Sequence, residues 1–150
     1  MPYVKVWLHI VWSTKHRYPF LSPEIRPQVF QHVRDNAKEK DIFLDFINGY
    51  FEHVHCLVSL GVEQTIAEIV RLMKGEASHW INKNQLTKRK FAWQNDYFCV
   101  GVGESMLDKT RDYIRSQEVH HSRREFEEEF DLMLEKYGFN DLRIRPKAFG

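Results

Sequence analysis

The sequence predicts an α+β domain in which an antiparallel sheet carries helices mainly on one face. Short segments rich in β-branched and aromatic residues alternate between apolar and polar positions, as strands do. Longer segments repeat apolar residues at helical spacing. The two kinds follow one another in the order β-α-ββ-α-β-α-α, which suits helices layered on an antiparallel sheet. A length of 150 residues fits one domain over 1–150, and 43% hydrophobic with 14% aromatic content argues for a packed core.

Each element has its own signal. Residues 3–13, YVKVWLHIVWS, read as the first strand, and STKHRYPFLSPE as a basic loop. Ser22 as a cap, with Pro23 at the first helical position, predicts a helix through Lys40. IFLDFINGYFEHVHCLVSL reads as two strands reversing at Asn48-Gly49, a dipeptide suited to a tight hairpin. Ile66, Ile69, Val70 and Met73 have the spacing of an amphipathic helix. FAWQNDYFCVGVG predicts a strand interrupted around Gln94-Asn95-Asp96. ESMLDKTRDYIRSQEVHH restarts a helical pattern, and REFEEEFDLMLEKYG predicts a last helix ended by Gly138.

Composition narrows the functional classes. No run approaches the roughly 18 apolar residues of a membrane helix, and MPYVKVWLHI lacks a signal-peptide layout. Cys56 and Cys99 lie in apolar runs without CxxC spacing, so they are expected to be buried thiols of a cytoplasmic protein. A net charge of +1 gives no global attraction for nucleic acid. Bases nevertheless cluster in STKHR, NKNQLTKRK and HHSRRE, and acids in EFEEEFDLMLE. Such runs are most often solvated faces, but local basic patches can grip phosphates.

The chemistry-bearing stretch is FEHVHCLVSL. In a strand His53, His55, Leu57 and Ser59 share one face, opposite Val54, Cys56 and Val58. Two imidazoles then stand side by side on the face expected to be exposed, within reach of one metal ion. Two surface histidines would explain a bare HxH equally. In RDYIRSQ, Tyr113 and Gln117 are i and i+4 and share one side of a helix, a pairing that core packing also explains.

Together these pieces resemble the single-tyrosine HUH transposases of the smallest bacterial insertion sequences, the TnpA-type enzymes. The resemblance runs nearly end to end: HIVWSTKHR, INGYFEHVHCLVSL, IAEIVRLMKGEASHWI, FAWQNDYF, YIRSQEVHH and FEEEFDLMLEKYG stand in order. It implies a ferredoxin-like (RRM-like) sheet and a homodimer that nicks and rejoins single-stranded DNA at hairpin-containing transposon ends. By the family's pattern His53 and His55 hold a divalent metal, Gln117 supplies a third ligand, and Tyr113 is the nucleophile that forms a 5′-phosphotyrosine. The tyrosine helix of one subunit can complete the partner's histidine pair. CVGVGES departs from the serine-containing stretch expected before this helix, and LRIRPKAFG carries no recognisable motif.

Those roles are chemically reasonable. A phenol, with a pKa of about 10, is a poor nucleophile at neutral pH unless developing charge is stabilised. A cation on a phosphate oxygen does this, and neutral ligands leave its charge undiminished. Two imidazoles suit Mn2+ better than Mg2+, the two ions the resemblance implies. Candidate DNA contacts are Lys15, His16 and Arg17 after the first strand, Arg71 and Lys74 on the helix after the histidine strand, and Arg111 and Arg115 beside Tyr113. Trp93 and Tyr97 are candidates for base stacking, with core packing the simpler role. His120 and His121 are expected near the site or facing DNA, not as ligands. The competing functions are a domesticated relative that processes repeated palindromes and a non-catalytic nucleic-acid-binding module; a zinc hydrolase lacks a carboxylate base beside the HxH.

Overall fold

Aromatic and β-branched side chains make Trp7–Ser13 the first strand, β1, of a four-stranded antiparallel sheet. A computed structural model of the chain describes residues 2–121 and 125–139. The elements are β1, α1 (Arg26–Glu39), β2 (Phe43–Gly49), β3 (His53–Ser59), α2 (Ile66–Lys83), β4 (Phe98–Val102), α3 (Leu107–Arg115), α4 (Gln117–His121) and α5 (Phe126–Lys136). The strand order is β2-β3-β1-β4, all neighbours antiparallel, as expected for the α+β class.

The long helices α1 and α2 cover one face. Their Val29, Val33, Ile69, Val70, Met73 and Ile81 pack on the alternate positions Ile10, Trp12, Val54, Cys56 and Val58. Thr65 caps α2 by accepting from the Glu68 N–H at 3.2 Å. The α1 helix begins at Arg26, later than the Ser22–Pro23 start predicted, and Ser22 contributes its carbonyl to the Ile25 and Arg26 N–H groups. Pro27 is the reason: a helix begun at Pro23 would need an N–H from Pro27 to bond back to Pro23, and proline has none.

The hairpin also differs from the prediction. Asn48 and Gly49 remain in β2, opposite His55 and Val54, and the reversal falls on residues 50–52. A Cβ on Gly49 would lie 2.2 Å from the His53 carbonyl oxygen, so glycine here serves close backbone approach, not the turn. The second sheet face is covered too, by α3, α4 and α5. Leu107 and Ile114 of α3 pack on Leu57, while Phe126 and Met133 of α5 pack on Val11 and Phe98.

The continuous helix predicted over ESMLDKTRDYIRSQEVHH is broken at Ser116. Ser116 Oγ donates to the Asp112 carbonyl at 2.5 Å, and Asn48 Nδ2 donates to the Ile114 and Arg115 carbonyls at 2.9 and 3.1 Å. Carbonyls taken by side chains end the ladder. The last helix stops at Gly138 as predicted. With φ 74°, Gly138 donates to Glu135 and Phe139 donates to Leu134 across the helix end. Cys56 is buried and Cys99 partly so; both are free thiols. Among the described residues no helix is long and apolar enough to cross a membrane. LRIRPKAFG and the side chain of His120 lie outside the described residues.

Candidate functional site

Strand alternation places His53 and His55 on the face opposite the α1/α2 core, as the sequence predicts. Both are fully buried, however, and not exposed. The helices α3, α4 and α5 close over them, a consequence of nonlocal packing that the strand's own pattern does not carry. Phe126 of α5 stacks on His53 with centroids 4.1 Å apart and planes 10° apart, and Tyr113 meets the His55 ring edge-on at 5.6 Å.

Around the pair, His53 Nε2 is 3.0 Å from Gln117 Oε1, and His53 Nδ1 is 2.6 Å from Glu52 Oε1. The Gln117 amide nitrogen donates to the Tyr113 carbonyl at 3.1 Å, which ties α4 to the end of α3. His55 Nδ1 is 2.9 Å from His9 Nε2, and His55 Nε2 is 3.1 Å from Glu129 Oε1. The Tyr113 hydroxyl donates to Glu129 Oε1, and His121 Nε2 lies 2.5 Å from Glu129 Oε2. Tyr113, His53, His55 and Gln117 therefore converge within one chain.

Glu129 and His9 are site neighbours that the sequence reading does not single out. Glu129 sits in a run of acids that reads as a solvated face, yet it shares the 126/129/133 stripe with Phe126 and Met133, both buried. A carboxylate on an apolar helical stripe is the signal. His9 shares its face of β1 with Val11, and Val11 pairs opposite His55. Alternation along β1 thus aims it at the histidine pair.

Burial sets the protonation of this cluster. Desolvation lowers His55 to about 4, with Glu129 opposing and His53 adding to the shift. Desolvation also lowers His9 to about 3, helped by His55. Burial alone would raise the Glu129 carboxyl, but the His121 and His55 rings beside it and the hydrogen bond from Tyr113 hold it well below the usual range. The result is neutral His55 and His9 rings beside an anionic carboxylate.

The donor set fits a divalent cation. Ligand atoms of His53, His55 and Glu129 lie within 4.8 Å of one another. Bonds of about 2.0–2.2 Å span roughly 4.4 Å across one ion, so only small approaches are needed. The fit is supported by orphaned atoms: His55 Nε2 and Glu129 Oε2 are buried without a hydrogen-bond partner, because their close contacts are misaligned. Such unsatisfied groups carry a cost that a bound cation removes.

The candidate DNA contacts are placed variously. Lys15 and His16 are exposed in the turn after β1, and Arg17 stands over the Phe126 and Phe130 rings at 5.4 and 6.0 Å. Arg71 is exposed on α2, across the sheet from the histidines. Lys74 donates to the carbonyls of Gln94, Asn95 and Asp96. Arg111 pairs with Asp45 at 2.7 Å and Asp108 at 3.1 Å; Arg115 pairs with Asp112 and lies over Phe46. Trp93 is buried and donates its indole N–H to the Lys74 carbonyl, and Tyr97 packs partly buried against the core.

Comparison with known proteins adds independent findings. A family model described as Transposase IS200 like matches residues 2–117. The ISDra2 transposase TnpA of Deinococcus radiodurans is 25% identical over 114 residues, covering 73% of this chain and 81% of that protein. A crystal structure of a candidate transposase from D. radiodurans R1 superposes with a TM-score of 0.63 at 24% identity, covering 78% of this chain and 95% of the other. A REP-associated tyrosine transposase bound to a REP hairpin gives a TM-score of 0.59 at 18% identity, covering 81% and 72%. At these identities the two structures speak for the fold.

Proposed function

This chain belongs to the IS200-like transposase family, and on that premise we propose that it cleaves and rejoins single-stranded DNA with Tyr113 as the nucleophile. One observation carries the reading: the Tyr113 hydroxyl, the two imidazoles of β3 and the Gln117 amide converge in one buried cluster. Their sequence separation is large, and a bland core has no need to gather them.

In this reading the Tyr113 oxygen attacks phosphorus, a bond forms to the 5′ side, and the bond to the 3′ oxygen breaks to release a 3′-hydroxyl. The Glu129 carboxylate accepts the phenol's hydrogen bond, orients the attacking oxygen and draws on its proton. His53 and His55 would hold the cation, Mg2+ or Mn2+, with Gln117 or Glu129 completing the set; when bound, it supplies charge to the phosphate oxygens. A second 3′-hydroxyl then attacks the phosphotyrosine and restores the DNA backbone without ATP, as recombination requires. Hairpin-containing transposon ends are the proposed substrate, bound by a homodimer. Convergence within one chain supports a site complete in each subunit. Lys15 is the candidate cation best placed for phosphates, since Lys74, Arg111 and Arg115 already bond to protein, Arg17 pairs with Glu127 at 3.7 Å, and Arg71 lies across the sheet from the histidines.

The test is direct. The protein incubated with single-stranded transposon-end DNA and Mn2+ or Mg2+ should give a covalent adduct that survives denaturation. Tyr113→Phe should abolish it, and His53→Ala or His55→Ala should reduce it at least tenfold. An undiminished adduct in Tyr113→Phe would remove the nucleophile assignment.

A further inference from the structure

We infer that His9 and Glu52 are positioning residues that decide which ring nitrogen His55 and His53 present to a cation. The inference rests on the cation reading of the site given above and extends it to residues that touch no ligand. A neutral imidazole has one N–H and one lone pair, and only the nitrogen with the lone pair can bind a metal. Whatever fixes the hydrogen on one nitrogen therefore sets the other one free.

For His53 the assignment follows from acceptor chemistry. An ionised carboxylate can only accept, and Glu52 Oε1 lies 2.6 Å from Nδ1, so Nδ1 carries the hydrogen. Nε2 then turns its lone pair to the interior of the cluster beside Gln117 Oε1 at 3.0 Å, a second acceptor because the Gln117 amide nitrogen donates to the Tyr113 carbonyl, so both face the position a cation would take. A carboxylate behind a ligating histidine both fixes the ring and makes its free nitrogen a better donor.

For His55 the assignment follows from satisfaction. Its Nε2 is buried and without a hydrogen-bond partner, because Glu129 Oε1 at 3.1 Å lies off the direction in which that nitrogen points. A hydrogen there would be a buried, unpaired donor, which is costly. Placed on Nδ1, the same hydrogen donates to His9 Nε2 at 2.9 Å, and His9 carries its own hydrogen on Nδ1. His9 is itself buried and its ring is nearly parallel to that of His55, with centroids 5.1 Å apart. The two supports thus differ in kind: a charged carboxylate from the residue before His53, and a neutral imidazole from the neighbouring strand.

The roles can be separated from mere packing. Full-length wild type, His9→Phe, His9→Gln, Glu52→Ala and Glu52→Gln would be stripped with chelator and titrated with Mn2+ by calorimetry, with thermal midpoints measured alongside. His9→Phe and Glu52→Ala should weaken Mn2+ binding about 10–100-fold. Glu52→Gln and His9→Gln, which keep an acceptor, should recover part of it. Nitrogen NMR of the metal-free wild type should find both His53 and His55 protonated on Nδ1, and His9→Phe should move the His55 hydrogen to Nε2. Unchanged Mn2+ affinity in folded His9→Phe and Glu52→Ala would overturn the inference, as would a wild-type His55 protonated on Nε2, a measurement that needs no variant. Wild type that takes up no Mn2+ would instead overturn the cation reading beneath it.

Discussion

Two imidazoles, His55 and His9, and a carboxylate held apart from water make this site sensitive to acid. The unfolded chain takes up protons on its histidines below about pH 6.5, whereas His55 and His9 are held down to about 4 and about 3 in the fold. Between pH 6.5 and 4 the unfolded state therefore binds more protons, and stability falls as pH falls. The depressed Glu129 carboxyl acts in the same direction, its contribution being lost as pH drops below the ordinary carboxyl range. In chelator, the urea midpoint should decrease from pH 7 to pH 4.5, and His9→Phe should flatten that slope. A midpoint independent of pH would contradict the buried neutral pair. At this scale the sequence was legible where residues form a local pattern. His53 and His55 share a face by alternation and Tyr113 and Gln117 by helical spacing, but Glu129 and His9 reach the site only through the tertiary fold.

Among the elements, the hairpin between β2 and β3 sets the site's precision. Gly49→Ala would put a methyl group into the His53 carbonyl, forcing the strands apart. A loss of about 1–3 kcal/mol is expected from such overpacking, read by chemical denaturation, together with a weakened adduct because His53 moves with its backbone. Asn48→Ala removes two hydrogen bonds from the end of α3 and should lower stability by about 1–2 kcal/mol. Adduct formation should fall further than stability alone explains. The strands and long helices were readable from periodicity, and the end of α5 from Gly138. Misplaced boundaries had specific physical causes: Pro27 delays α1, Gly49 serves packing instead of the turn, and Asn48 with Ser116 cuts one predicted helix into two.

For the whole molecule, the second helical layer is what the sequence leaves unread. The fold class follows from element order, but which face α5 would cover depends on contacts far apart in the chain. The family match ends at residue 117, so α5 and its Glu129 lie beyond it. A chain ending at 121 loses the burial of Phe126 and Met133, together worth roughly 3–6 kcal/mol. It should melt at lower temperature and bind a hydrophobic dye at the uncovered Val11 and Phe98; unchanged melting would show α5 to be dispensable. The Asn48 contact has a consequence at this scale as well. A single amide clasps the tail of the tyrosine segment to the sheet through two bonds that one side-chain rotation releases together. Because both carbonyls hang on one β2 side chain, any shift of β2 is passed directly to the end of the helix that carries Tyr113.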